Sequence, residues 1–422
     1  MTAAPTPTTP GPPRAPGPVW TPWRTVVAFG LVSLAADMVY EGMRAMAGPF
    51  LASLGASALT VGLITGAGEA VALILRLVTG PWADRSRRHW RLTVVGYAMT
   101  AVCVPLLAVT PFLGGAGLAL AATLIVLERT GKAVRSPAKS ALLARMATST
   151  GRGRGFAVHK ALDQVGAFSG PLLLAGIAAL TGALWPGFAA LAVPGALAMV
   201  LLWQLRRRAP IATRADPEED ARSVAPPARG AAARIGADLP RSFHLFSLAV
   251  ALSTAGLMTF GVVSYRLVET GLMTAPVVPL VYALAMAAGA LAALVTGDLF
   301  DRWGGRVLLA VPVLAAAVPL CVFADRLGLV LAGVVIWGAA TGVQDSTVKA
   351  FVADLVPPGR RATAYGVFAA VQGVGALAGG ALAGALIVSH AGLLTLLIGA
   401  LQVAAAALLR LSVGGAWWRR RV

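Results

Sequence analysis

Charge is scarce in this chain. Asp, Glu, Lys and Arg make up 12% of its 422 residues, against 58% hydrophobic ones, and mean hydropathy is +0.78. A soluble globular protein of this length has no use for so much apolar surface, so lipid is the expected solvent. Cysteine is nearly absent. Cys103 and Cys321 both lie in apolar runs, which excludes a disulfide framework or a cysteine metal cluster. Acidic residues are half as common as basic ones, 17 against 35, for a formal charge of +18. Such a surplus could suit nucleic acid, but the placement of the charges argues otherwise. No cleaved leader is expected, because the first apolar run is too long for a signal-peptide core and carries Asp37, Glu41 and Arg44.

What the chain has is a series of apolar runs of about 20 residues or more, each long enough for ~30 Å of hydrocarbon as a helix. Twelve are predicted, the first over 23–50 and the last over 393–413. The expected fold is an all-α integral membrane protein of twelve transmembrane helices in two pseudo-symmetric six-helix halves. Residues 1–20 read as a disordered, Pro- and Thr-rich terminus, 21–205 as the first bundle and 206–241 as a polar linker. Residues 242–413 read as the second bundle and 414–422 as a basic tail.

Lys and Arg fix the orientation. Arg85, Arg87, Arg88 and Arg91 fall on one side with Arg145, Arg206–Arg208, Arg302, Arg306 and the Arg419–Arg421 tail. The opposite loops, 55–57, 111–117 and 181–184, carry none. Both termini and the linker are therefore expected in the cytoplasm, with the chain in the cell (inner) membrane. The positive charge reads as a topology signal, and no nucleic-acid partner is expected. Trp20, Trp23, Trp417 and Trp418 fit interfacial anchors.

The halves repeat. Gly80, Asp84, Arg85 and Arg88 recur as Gly297, Asp301, Arg302 and Arg306, each set between two apolar runs. Val104–Leu106 recurs at Val318–Leu320, Ser136 and Lys139 at Ser346 and Lys349, and Gly166 and Gly170 at Gly375 and Gly379. The offset falls slowly from 217 to 209 residues, as a duplicated unit with small deletions gives. The Gly-x-x-x-Asp-Arg loops resemble the loop between the second and third helices of major facilitator superfamily transporters, and its echo between the eighth and ninth. That resemblance implies two parallel repeats with a substrate site between them near the midplane. In the loop itself, Gly80 is expected to permit a tight exit from helix 2, while Asp84 latches against a helix N-terminus or an Arg.

Charges inside a membrane need partners or water, and here they concentrate in the first half. Helix 1 carries Asp37, Tyr40, Glu41 and Arg44 on one face; helix 2 carries Glu69 and Arg76. Helix 4 carries Glu128, Lys132, Arg135 and Lys139, with Arg129 beside them. Helix 5 carries His159, Lys160, Asp163 and Gln164. The second half offers Tyr265, Gln344, Asp345, Lys349 and Gln372. These residues are the candidate cavity. Asp37, Glu41, Asp163, Glu69 and Glu128 are the candidate proton sites, since burial and nearby bases pull a carboxyl in opposite directions. A static ion-pair lattice holding helices 1, 2, 4 and 5 together is the plainer alternative.

The resemblance adds roles. Acidic helix-1 residues serve proton coupling in several multidrug antiporters of the superfamily, and Glu128–Ala133 is similar to its helix-4 arginine motif. Gly166, Gly170 and Pro171 are similar to the core of the antiporter motif. Ser136-x-x-Lys139 and Gly131-Lys132 lack the companion residues of a hydrolase or a P-loop, so neither an enzyme nor ATP drive is expected. The leading expectation is proton-coupled efflux of a small organic molecule by alternating access. It needs no cofactor beyond the proton gradient, and its partners are substrate, protons and membrane lipid around a monomer. Proton symport of a small, possibly anionic metabolite is the alternative. A non-transporting sensor or assembly factor is the alternative of another class.

Overall fold

Local chemistry starts the helices where the apolar runs begin. Thr21 caps the first, its hydroxyl accepting from Arg24 N at 3.4 Å with Pro22 in the first turn, and Ser57 caps the next by accepting from Thr60 N at 3.2 Å. A computed structural model describes residues 20–86, 88–146, 152–208, 237–357 and 360–418. Nearly all of the expected N-terminal segment, most of the linker and the end of the tail lie outside the described residues. So do the side chains of Asp84 and Lys349.

The described residues form helices and no strands. In chain order they are α1 (Pro22–Ser53), α2 (Ala58–Ile74), α3 (Arg76–Ser86), α4 (His89–Leu106), α5 (Gly117–Met146) and α6 (Arg152–Thr181). Then follow α7 (Trp185–Ala190) and α8 (Ala192–Arg208), and after the linker α9 (Arg241–Leu257), α10 (Phe260–Glu269) and α11 (Val278–Trp303). The last are α12 (Ala310–Val322), α13 (Leu327–Asp345), α14 (Thr347–Leu355), α15 (Arg361–Leu386) and α16 (Ala391–Trp418). Four pairs each make one membrane pass: α2 with α3, α7 with α8, α9 with α10, and α13 with α14. Among the described residues this pairing gives twelve passes, six in each half, and ten spans are long and apolar enough to cross a membrane by length and composition. The N-terminal and linker ends meet on one face, where Trp20 N donates to Arg208 O at 3.2 Å.

The four broken passes differ from the uninterrupted runs expected. They break at Leu75, Leu191, Met258–Thr259 and Ser346. Only Met258 takes a left-handed backbone, at φ 59, and Trp337 Nε1 holds its freed carbonyl at 3.2 Å. The glycines of the repeated loop also differ from expectation. Gly80 lies inside α3 and Gly297 inside α11, and a side chain on either would meet open space. The turn after α11 is made at Gly304, at φ 61. Arg85, Arg88, Asp301, Arg302 and Arg306 are exposed at the linker face.

The inside-out pattern of a membrane protein is plain. Leu180 is 88% exposed and Leu294 71%, whereas Glu128 is 0% and Arg129 3% exposed. The internal repeat is a packing device. A methyl on Gly166 or Gly170 would stand 2.9 and 2.8 Å from Leu34 and Met38 Cα, so α6 lies backbone-to-backbone on α1. In the second half Gly375 and Gly379 meet Ala251 and Ala255 in the same way, α15 on α9.

The apolar core is forked. One cluster joins both halves at the end away from the linker, with Val39, Met43 and Phe50 packed among residues such as Phe260, Tyr282 and Trp337. Toward the linker it divides. Phe29, Leu142 and Leu202 belong to a first-half core, and Phe243, Phe351 and Phe368 to a second-half core. The halves touch most extensively along α2 and α15, a seam lined by Gly62, Gly66, Gly373, Gly380 and Gly384 that begins in the joined cluster, beside Ala58 and Ala383.

Candidate functional site

Helices α1, α2, α5 and α6 turn their charged faces toward one another at the fork. Arg44 binds Glu69 at 3.1 Å and Glu41 at 3.4 Å. Arg129 bridges Glu69 at 3.6 Å and Glu128 at 3.3 Å. Tyr40 is the hub. Arg129 stands 4.2 Å from its ring centroid and Lys132 3.8 Å, and Lys132 Nζ also donates to its hydroxyl.

A second cluster lies toward the linker. Arg135 faces Asp37 at 3.9 Å and donates to Thr100 at 2.6 Å, and Thr100 donates to Glu128 at 3.0 Å. Asp163 binds Lys160 at 3.1 Å and Lys139 at 3.5 Å. Asp37 on α1 and Asp163 on α6 lie within electrostatic reach of each other. Ser33 contacts Tyr97 and His159, each at 3.0 Å, so His159 is held by a hydroxyl.

Most first-half candidates therefore form one connected network. Gln164 is half-buried, and Arg76, the first residue of α3, has a buried Nε with no hydrogen-bond partner. The second half is less concentrated. Gln344 accepts from Thr254 at 3.4 Å, Asp345 is exposed at the end of α13, and Gln372 is half-buried beside the α2–α15 seam. Tyr265 lies at the closed end, against Gly48. Lys349 lies outside the described side chains.

Sequence reasoning missed the hydroxyls that complete the site. Thr100 and Tyr97 come from α4, which offered no charge in its interior. Across the halves, Tyr282 donates to Glu41 at 2.5 Å, and Thr65 and Thr259 meet at 2.8 Å. A lone hydroxyl in an apolar helix needs a partner, which is the signal that marks such residues. Thr65 and Thr259 line a small opening with Arg44, Glu69, Arg129 and Phe260, of about 30 Å³. It sits at the α9–α10 break, an irregular backbone of the kind tolerated where a cavity is lined. Among the described residues no His, Cys, Asp and Glu group could hold a metal ion.

Comparison with known proteins agrees with this architecture. The chain is 49% identical over 389 residues to an uncharacterised protein of Mycobacterium tuberculosis, covering 92% of each. It is 25% identical over 371 residues to an uncharacterised MFS-type transporter of Methanocaldococcus jannaschii, covering 86% of this chain and 88% of that one. Its fold matches the nucleoside transporter NupG at TM-score 0.73 and 12% identity, covering 92% and 99% of the two chains. It also matches a D-xylose-proton symporter at TM-score 0.68 and 13% identity, covering 92% and 96%. The sequence model of the Major Facilitator Superfamily matches residues 29–323 and 245–421. With its twelve passes, its duplicated halves and a charged cavity between them, the chain belongs to the Major Facilitator Superfamily and is a multi-pass membrane transporter, not an enzyme.

Proposed function

We propose that this transporter exports a small organic molecule in exchange for protons, by alternating exposure of the cavity between its halves. The observation that carries proton coupling is the pairing of Asp37 with Arg135 and of Asp163 with Lys139 and Lys160, on the packed helices α1 and α6. Two carboxyls within electrostatic reach of each other favour sharing one proton, because each charge raises the cost of ionising the other. When that proton leaves, the two like charges repel, and Arg135, Lys139 and Lys160 are placed to take them up separately. Since α1 and α6 are locked backbone-to-backbone by Gly166 and Gly170, the two helices move together and pass the change to the contacts between the halves. A proton step thereby biases which end is open.

Export rather than uptake is supported by the likeness of Gly166–Pro171 to the antiporter motif. The Arg-rich face supports a cytoplasmic linker and termini, and on that reading the fork opens toward the cytoplasm. Inverted, energised vesicles test the reading. Addition of a transported compound should release protons from wild-type vesicles, and Asp37→Asn should insert normally and release none. Normal exchange by the Asp37→Asn, Asp163→Asn double variant would overturn the proton assignment.

A further inference from the structure

The small opening at the α9–α10 break is walled by both halves, and its hydrogen-bond donors are not used up. Helix α10 begins there with Thr259, Phe260 and Gly261. The Thr259 hydroxyl does not cap the helix; it meets Thr65 at 2.8 Å instead. Among the described residues the backbone N–H groups of Phe260 and Gly261 have no partner. The first turn of this ten-residue helix thus presents bare donors and the positive end of its dipole. Arg129 lines the same opening from α5. It is 3% exposed, and its Nη1 is buried without a hydrogen-bond partner. Glu69 Oε1 stands 3.6 Å from that nitrogen, near enough for an ion pair and too far for a hydrogen bond. The same oxygen lies 3.1 Å from Arg44, which also lines the opening. The protein's own carboxylate therefore already shows what the two guanidiniums accept.

We propose that this opening, between the N-terminus of α10 and the guanidiniums of Arg129 and Arg44, is the subsite that binds a carboxylate of the substrate. Helix N-termini take anions through their free N–H groups, and a guanidinium adds a charge-assisted bond to the same oxygens. Size narrows the class. About 30 Å³ is room for roughly two water-sized groups, which suits the two oxygens of a carboxylate and not the three of a phosphate monoester. Glu69 is the internal competitor: the entering carboxylate takes Arg129 Nη1 and the N–H groups of α10, while Glu69 stays with Arg44.

The assignment names a substrate class for the export reading and rests on that reading for direction. Arg129 belongs to the first half and α10 to the second, so a bound carboxylate bridges the halves. Its presence or absence then changes how firmly they are joined at this end. Expelling one such anion while admitting one proton moves two positive charges inward, so the membrane potential drives the exchange together with the pH difference.

Binding to the purified full-length chain in detergent tests the subsite without transport. The probes are butyrate, the neutral butyramide, butyl phosphate and butylamine, read by titration calorimetry and by unfolding midpoint. Butyrate should raise the midpoint, and the other three should leave it unchanged. Glu69→Gln removes the competing carboxylate and should bind butyrate severalfold more tightly. Arg129→Gln, checked for native elution and helicity, should bind it about tenfold more weakly. Equal action by butyramide or butyl phosphate, butylamine acting in place of butyrate, or no butyrate effect in folded wild type would each overturn the subsite. So would a butyrate affinity unchanged or weakened in Glu69→Gln, a result that stands whether or not Arg129→Gln folds. Asp37→Asn should bind butyrate as wild type does while failing to exchange protons. Butyrate binding with normal exchange in Asp37→Asn would leave the subsite standing and remove the proposed coupling.

Discussion

The sharpest test of the duplicated packing is Gly170→Ala. A methyl at this position stands 2.8 Å from the Cα and carbonyl carbon of Met38. Relaxed carbon contacts are about 3.5–4.0 Å. The obstruction is backbone on both sides, so no rotamer change relieves it, and α1 and α6 must part by about 1 Å. Overpacking of this kind costs about 1–3 kcal/mol. Its counterpart, Gly379→Ala, meets Ala255 Cα at 2.6 Å and should cost a similar amount. Gly80→Ala and Gly297→Ala supply the contrast. Both sites are helical with nothing within 4 Å, so alanine should be neutral or stabilise by up to ~1 kcal/mol through helix propensity. Thermal unfolding of the four purified variants, followed by helical circular dichroism, reads the difference. At this chain length about 1 kcal/mol moves the midpoint by roughly 1 °C. The motif glycines of helix 5 and its repeat should therefore lower the midpoint by about 1–3 °C, and the loop glycines should not. A loss at Gly80 equal to that at Gly170, or no loss at Gly170 and Gly379, would refute the packing argument.

Three other outcomes follow from the geometry. Glu128→Gln removes one of the two carboxylates that Arg129 bridges, Glu69 remaining, and should destabilise by about 1.5–3 kcal/mol; chemical unfolding of the variant reads it, and an unchanged midpoint would contradict the pairing. Tyr282→Phe removes a hydroxyl that joins the halves through Glu41. It should shift the balance toward opening of that end by about 1–3 kcal/mol, visible as a longer spin-label distance across it, and an unchanged distance distribution would contradict the role. Thr65→Val should act in the same direction by about 0.5–1.5 kcal/mol, since it loses one neutral hydrogen bond to Thr259.

How far the sequence could be read depended on whether a feature was written in residue type or in backbone. The twelve passes were legible because transfer to lipid depends on composition alone. The charged face of α1 was legible because Asp37, Tyr40, Glu41 and Arg44 recur at helical spacing. Gly166 and Gly170 could be read as packing residues because a side chain there is impossible. The breaks at Leu75 and Leu191 were invisible, since no Gly or Pro adjoins either and hydropathy is blind to a shifted hydrogen bond. Gly80 misled because a glycine beside Pro and Asp looks like a turn, yet α3 runs through it with ordinary helical dihedrals. Tyr282 and Thr259 were hidden by distance along the chain: only the meeting of the halves gives each hydroxyl its partner.

The seam between α2 and α15 has a mechanical consequence. Interlocked side chains act as teeth: to slide past one another they must first disengage, and each such step is a barrier. Along Gly62, Gly66, Gly373, Gly380 and Gly384 there are few teeth to disengage. A methyl on Gly66 would stand 3.3 Å from Gly380 Cα, so the two helices bear on each other as smooth rods. Glycine seams also lock α1 to α6 and α9 to α15, but those pairs lie within the halves and are buttressed by the cores on either side. The same small residue thus makes a weld inside a half and a bearing between the halves. Filling the bearing with bulk should jam the rocking of the halves before it unfolds either of them.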